Sequence, residues 1–126
     1  EWNAEKAQQI VQSVIDSGQA FNVIYAENDD MAKGAVAALD KANISHGVGK
    51  DVIVMGFDCN KWALEELLNQ NWNYDGQCNP YQASYIEDVI KKLESGEKID
   101  EKTIIMDEKG FDATTITQDD VDQFGI

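Results

Sequence analysis

Basic residues are scarce in this chain: 10 Lys and Arg stand against 24 Asp and Glu, a formal charge of −14 over 126 residues. That balance repels phosphate backbones and anionic headgroups. No basic cluster forms a local exception, so nucleic acid is not an expected partner. Long apolar runs are missing too. Stretches such as Val52 to Phe57 fall far short of the roughly 20 residues that span a bilayer. No basic segment leading into an apolar one opens the chain, and direct membrane insertion of this segment is not expected. Two cysteines, Cys59 and Cys78, are too few for a disulfide framework and lack the paired spacing of a zinc site. Neither a metal nor a cofactor is expected. With one Pro and 43% hydrophobic residues, the chain reads as an ordinary globular sequence of one-domain size.

What is present is an alternation of helical and strand patterns. Ala7, Ile10, Val11, Val14 and Ile15 recur at helical spacing after Asn3, a cap, and before Gly18, a stop. Phe21 to Ala26 is short and mostly apolar, which predicts a strand buried on both faces. Asp29 or Asp30 then caps a helix carrying Met31, Ala32, Ala35, Val36, Leu39 and Ala42, and Val52 to Phe57 forms a second buried strand. Ala63, Leu64, Leu67 and Leu68 mark a third helix, and Tyr74 to Cys78 a third strand. Asn79-Pro80 supplies a cap and first-turn proline for a fourth helix through Tyr85, Ile86, Val89, Ile90 and Leu93. Lys102 to Met106 reads as a fourth strand, and Thr117 to Asp120 as the cap of a short last helix with Val121 and Phe124. Such alternation predicts an open α/β fold with a parallel sheet. Sheets of this kind normally begin with a central strand, so the fold is expected to be incomplete at its amino end.

Ligands of open parallel sheets bind beyond the carboxyl ends of the strands. The residues there are Glu27-Asn28-Asp29, Asp58-Cys59-Asn60 and Gln77-Cys78-Asn79. Asp29, Asn60 and Asn79 are read as helix caps. Asn28 and Asp58 precede the caps at the strand tips, where their side chains are expected to point into the crevice. A carboxylate accepts on both oxygens while an amide both donates and accepts, a pairing suited to the vicinal hydroxyls of a polyol. Trp2 offers a planar ring for the apolar face of a sugar.

Tyr25-Ala26-Glu27-Asn28-Asp29-Asp30-Met31-Ala32-Lys33-Gly34-Ala35, then Lys50 to Phe57 with Asp58, then Cys78-Asn79-Pro80-Tyr81, resemble the carboxy-terminal half of ribose/galactose-type sugar-binding proteins of bacterial ABC importers. Members related to the galactofuranose binders are the most similar. The resemblance spans nearly the whole chain and implies an open parallel-sheet, Rossmann-like lobe of a type I periplasmic binding protein. It further implies that Asn28 and Asp58 bond sugar hydroxyls, that Trp2 stacks on the ring, and that Cys78 stands where many relatives place a ligand-reaching Gln. Gln77 is displaced by one position, and Cys59 stands where relatives often have Gly. Residues 1–78 would then belong to the carboxy-terminal sugar lobe, 79–101 to a helix of the amino-terminal lobe, and 102–126 to a returning strand and tail. The implied partners are a monosaccharide and a membrane permease. The implied location is periplasmic or extracellular, free or lipid-anchored, and the isolated segment is expected to self-associate.

Two rivals remain at this level. The effector domain of a sugar-responsive transcriptional repressor shares the lobes and the Gly-Phe-Asp tripeptide, and differs by a DNA-binding headpiece. An enzyme would need Cys59 or Cys78 as nucleophile and His46 as base. His46 lies in a loop entering the second strand at its amino end, opposite the rim, and reads as a surface loop residue, so no catalytic residue is expected. Glu97, Asp100 and Glu101 read as solvated surface.

Overall fold

The computed structural model describes residues 2–100 and 102–126; Glu101, read above with Glu97 and Asp100 as surface, lies outside them. Nine elements follow in order among the described residues: α1 (Ala4–Asp16), β1 (Val23–Tyr25), α2 (Asp29–Lys41), β2 (Ile53–Asp58), α3 (Lys61–Leu68), β3 (Tyr74–Gln77), α4 (Ala83–Glu94), β4 (Gly110–Asp112) and α5 (Gln118–Phe124). The sheet has the order β1-β2-β3-β4. Its first three strands are parallel, and β4 runs antiparallel to β3.

Asn3 caps α1 through its side-chain oxygen, which accepts from the Lys6 N–H at 2.8 Å, and Ser17 and Gly18 end the helix. Thr117 and Asp120 form a reciprocal capping box at α5, as the Thr117 to Asp120 pattern predicts. Between these ends lies one core built from Ala32, Leu39, Val52, Val54, Ala63, Leu64, Leu67, Trp72, Phe111 and Val121. Fully burying an aliphatic side chain of this size contributes about 1.5–3 kcal/mol. The core sits on one face of the sheet only. Val54, Gly56, Asp75 and Phe111 point toward the helices and are buried, whereas Val23, Tyr25 and Ile53 are exposed on the opposite face.

That one-sidedness corrects the expectation that the first strand is buried on both faces. Alternate residues of β1 and β2 project to opposite sides, and the packed helices lie on one of them. A second correction concerns Lys102 to Met106, which pairs with no strand; the fourth strand is Gly110–Asp112. Ile104 and Met106 lie instead against α4, lining a cavity of about 320 Å³ with Tyr85, Ile86, Val89 and Ile90. The start of α4 also differs. The Asn79 side-chain oxygen accepts from the Tyr81 N–H at 2.8 Å and the Pro80 carbonyl from the Gln82 N–H. Asn79-Pro80 thus makes a turn, and the helix begins after Gln82 without a side-chain cap.

Candidate functional site

At the carboxyl end of β1 the chain enters α2 through Asn28, whose backbone is extended and whose Oδ1 accepts from the Met31 N–H at 2.9 Å. Asn28, not Asp29 or Asp30, is therefore the cap. Asn28 thus takes the capping role expected of Asp29: its oxygen turns back to the backbone, leaving its NH₂ group for the rim, while Asp29 is the first helical residue and fully buried. Asn60 does not cap α3 with its side chain either. Its backbone N–H and Nδ2 both donate to Asp29 Oδ2, at 2.9 and 3.1 Å.

Asp58 closes β2 and is half-buried beside this helix start. Burial raises its carboxyl above the usual range, the Asp30 carboxylate adds to the rise, and the Asp29 backbone N–H opposes it. The N-terminus of a helix carries partial positive charge, so α2 places donors where Asp58 places acceptors. Both Asp58 and Cys59 adopt left-handed backbone, with φ of 123° and 61°. Residues other than Gly hold such conformations at a cost of about 1–3 kcal/mol each. Surrounding hydrogen bonds hold the turn: the Cys59 N–H donates to Asp75 Oδ1 at 3.3 Å, the Cys59 carbonyl accepts from the Ile126 N–H, and the Ile126 carbonyl from the Lys61 N–H.

Trp2 is 75% exposed. Its position follows from the close approach of α1 to α2. A Cβ on Gly34 would meet the Ala4 carbonyl, and further along, Gln12 and Asp16 share a cleft with Lys41. The two helices therefore run side by side in the same direction, and Trp2 lies at the end where α2 begins. At β3, Cys78 is exposed and Cys59 buried, both with free thiols. Burial, then the neighbouring Asp75 and Asp29, push the Cys59 thiol up, so it is no candidate nucleophile. Gln77 Oε1 accepts from the Lys109 N–H at 3.2 Å, which turns that amide toward the β4 side. The structure thus brings Asn28 and Asp58 together, puts Trp2 at the same end of the helical layer, and leaves Cys78 at the rim of the neighbouring strand.

His46 is more than a surface loop residue. Its Nδ1 lies 2.8 Å from the Asn71 carbonyl and its Nε2 3.1 Å from Asp40 Oδ1, so the ring ties the loop before β2 to α2 and to the turn after α3. With Lys33, Trp62 and Glu66 it lines a cavity of about 450 Å³, across which the Lys33 ammonium sits over the Trp62 ring at 4.6 Å. Among the described residues no group of His, Cys, Asp and Glu is arranged to hold a metal ion, and no helix is long and apolar enough to cross a membrane.

Sequence reasoning assigned no role to Asp75. It is fully buried on β3, and its carboxyl is pushed up to about 9 by burial and by Asp29. A carboxylate in a strand interior is the kind of signal that marks a special environment.

Comparison with known proteins agrees with this architecture. A sequence profile described as "Periplasmic binding protein domain" matches residues 1–98. The chain is 29% identical over 116 residues to the fructose import binding protein of Bifidobacterium longum, covering 90% of this chain and 34% of that one. It therefore spans about a third of the length of that relative. A crystal structure from Mycobacterium smegmatis in complex with β-D-fucofuranose is 26% identical, with a TM-score of 0.74 over 88% of this chain and 36% of the other. A galactofuranose binding protein shares the fold with a TM-score of 0.81 at 21% identity, over 96% of this chain and 41% of the other.

Proposed function

We propose, from the premise that this chain belongs to the periplasmic binding protein domain family, that it forms most of the carboxy-terminal sugar lobe of an ABC importer's binding component. In this reading residues 1–78 are the lobe and residues 79–101 cross to an amino-terminal lobe. Residues 102–126 return through β4. A monosaccharide is held where the lobes meet and handed to a membrane permease. The setting is periplasmic or the outer cell surface.

The observation that carries the reading is the convergence of Asp58 and Asn28 at the start of α2. The half-buried carboxylate accepts from hydroxyls, and the Asn28 NH₂ group donates to them. Trp2 contributes a ring face, and Cys78 a small, weakly bonding side chain on the third strand. Charged hydrogen bonds to a buried hydroxyl are worth about 1.5–3 kcal/mol. In the two-lobed protein carrying this sequence, Asp58→Ala should weaken binding of the cognate sugar by about ten- to a hundredfold. Titration calorimetry across fructose, ribose and the furanose sugars identifies that ligand and measures the loss. Unchanged affinity in the variant would remove Asp58 from the site.

A further inference from the structure

Beneath the rim two carboxyl groups meet. Gly56 of β2 and Asp75 of β3 are partners in register, so the Asp75 side chain projects from the sheet face on which Gly56 leaves space. Asp29 fills that space: a Cβ on Gly56 would lie 2.5 Å from Asp29 Oδ1 and 2.9 Å from the Trp72 ring. Both carboxyls are fully buried. One oxygen of each is satisfied, Asp29 Oδ2 by the two Asn60 N–H groups and Asp75 Oδ1 by the Cys59 N–H. The other two, Asp29 Oδ1 and Asp75 Oδ2, find no donor among the described residues. Yet the two side chains are within hydrogen-bonding reach of each other. Two carboxylates in contact offer lone pairs only and repel; one proton turns the contact into a hydrogen bond.

We propose that Asp29 and Asp75 hold one proton between them, Asp75 Oδ2–H donating to Asp29 Oδ1, and that this pair clamps the left-handed Asp58-Cys59 turn in place. The surroundings favour the neutral acid. Burial raises both carboxyls, Asp75 to about 9. The groups facing them are the Asp58 carboxylate, the Cys59 thiol and the Asn60 amide, with the Trp72 ring beside Gly56 and Phe111 as the β4 partner of Asp75. None of these is a cation. The clamp works through the other two oxygens, which receive the N–H groups of Cys59, within the turn, and of Asn60, directly after it. Asp75 is a positioning residue in this arrangement. That the turn matters for sugar rests on the reading of Asp58 above, whereas the shared proton does not.

The sign of the pH dependence follows. An acid whose carboxyl is raised on folding binds a proton that the unfolded chain has lost, so stability falls as pH rises between the two values. For Asp75 the window runs from about 4, the ordinary carboxyl range, to about 9. The folding constant of this chain should fall by up to about tenfold per pH unit within it. Two measurements test the pair. Carbon NMR of the Asp75 carboxyl should show the protonated signal past neutral pH, and the Cys59 and Asn60 amide signals should shift with the same midpoint. Urea unfolding of Asp75→Asn, whose amide donates to Asp29 while its oxygen still accepts from Cys59, should lose the slope and keep the fold. An Asp75 carboxyl that titrates near 4, or parallel pH profiles for wild type and variant, would overturn the shared proton. Amide signals that ignore the titration would overturn the clamp. If the variant does not fold, the carboxyl signal of the wild type decides alone. A protonated Asp75 in a protein whose sugar affinity ignores Asp58→Ala would keep the pair and reject the sugar site.

Discussion

Helices α2 and α4 are nearly equal in length, 13 and 12 residues, and each separates an apolar from a polar face. One is part of a core and the other is not. Along α2 the inward residues are Ala32, Gly34, Ala35, Ala38 and Leu39, all buried, and their small size lets α1 approach until the Ala4 carbonyl touches Gly34. Along α4 the apolar residues are Tyr85, Ile86, Val89, Ile90 and Leu93, and no residue of the helix is buried. Its apolar face lines an open cleft with Ile104 and Met106. Amphipathicity therefore states that a helix needs a partner. It does not say where the partner is.

Deletions in the two regions should separate them sharply. Leu64→Ala, in the core that α2 and α3 share, should cost about 2–5 kcal/mol through lost transfer energy and the cavity left behind. Ile90→Ala on α4 should change stability by less than about 0.5 kcal/mol, the range of surface substitutions. Urea unfolding of both variants gives the contrast, and equal losses would show that α4 is packed in solution.

The same exposed face should act between molecules. With Ile86, Ile90 and Leu93 on α4, and Val23, Tyr25 and Ile53 on the open sheet face, the isolated chain carries two apolar surfaces of the kind that associate. Sedimentation velocity at tens of micromolar, roughly where modest interfaces populate, should show species larger than a monomer, and Ile90→Asp should shift the distribution toward the monomer. A monomer before and after the substitution would refute the expectation.

The smallest effect concerns helix starts. Thr117 caps α5 in a complete capping box, so Thr117→Ala should cost about 1 kcal/mol. Gln82 makes no cap hydrogen bond at α4, and Gln82→Ala should be close to neutral by the same thermal melt. A measurable loss at Gln82 would mean that α4 is capped in solution.

Much of this was legible along the chain. The periodicities locate α1, α2, α3 and α5, and β2 and β3 within a residue or two, because each is a local pattern of side-chain size and polarity. Asn28 and Asp58 are legible as rim residues, because a strand of known direction places its last residues at the carboxyl edge of the sheet. Their fine roles are not. Asn and Asp both cap helices well, so Asn28-Asp29 reads equally in either register. What decides is that Asp29 finds two partners below the rim: Asn60, 31 residues along the chain, and Asp75, further still.

By itself the sequence determined the alternation of strands and helices, the caps at Asn3 and Thr117, and the acidic, amide-bearing character of the rim, since each depends on neighbours within a few residues. The tertiary structure alone decided that the helices cover one face of the sheet and that Gly110–Asp112 is the fourth strand. It also decided that Cys59 takes a left-handed turn suited to Gly, and that Asp29 and Asp75 meet over Gly56. These depend on contacts between residues far apart in the chain, where strand pairing and a shared cavity, not local propensity, set the lowest free energy.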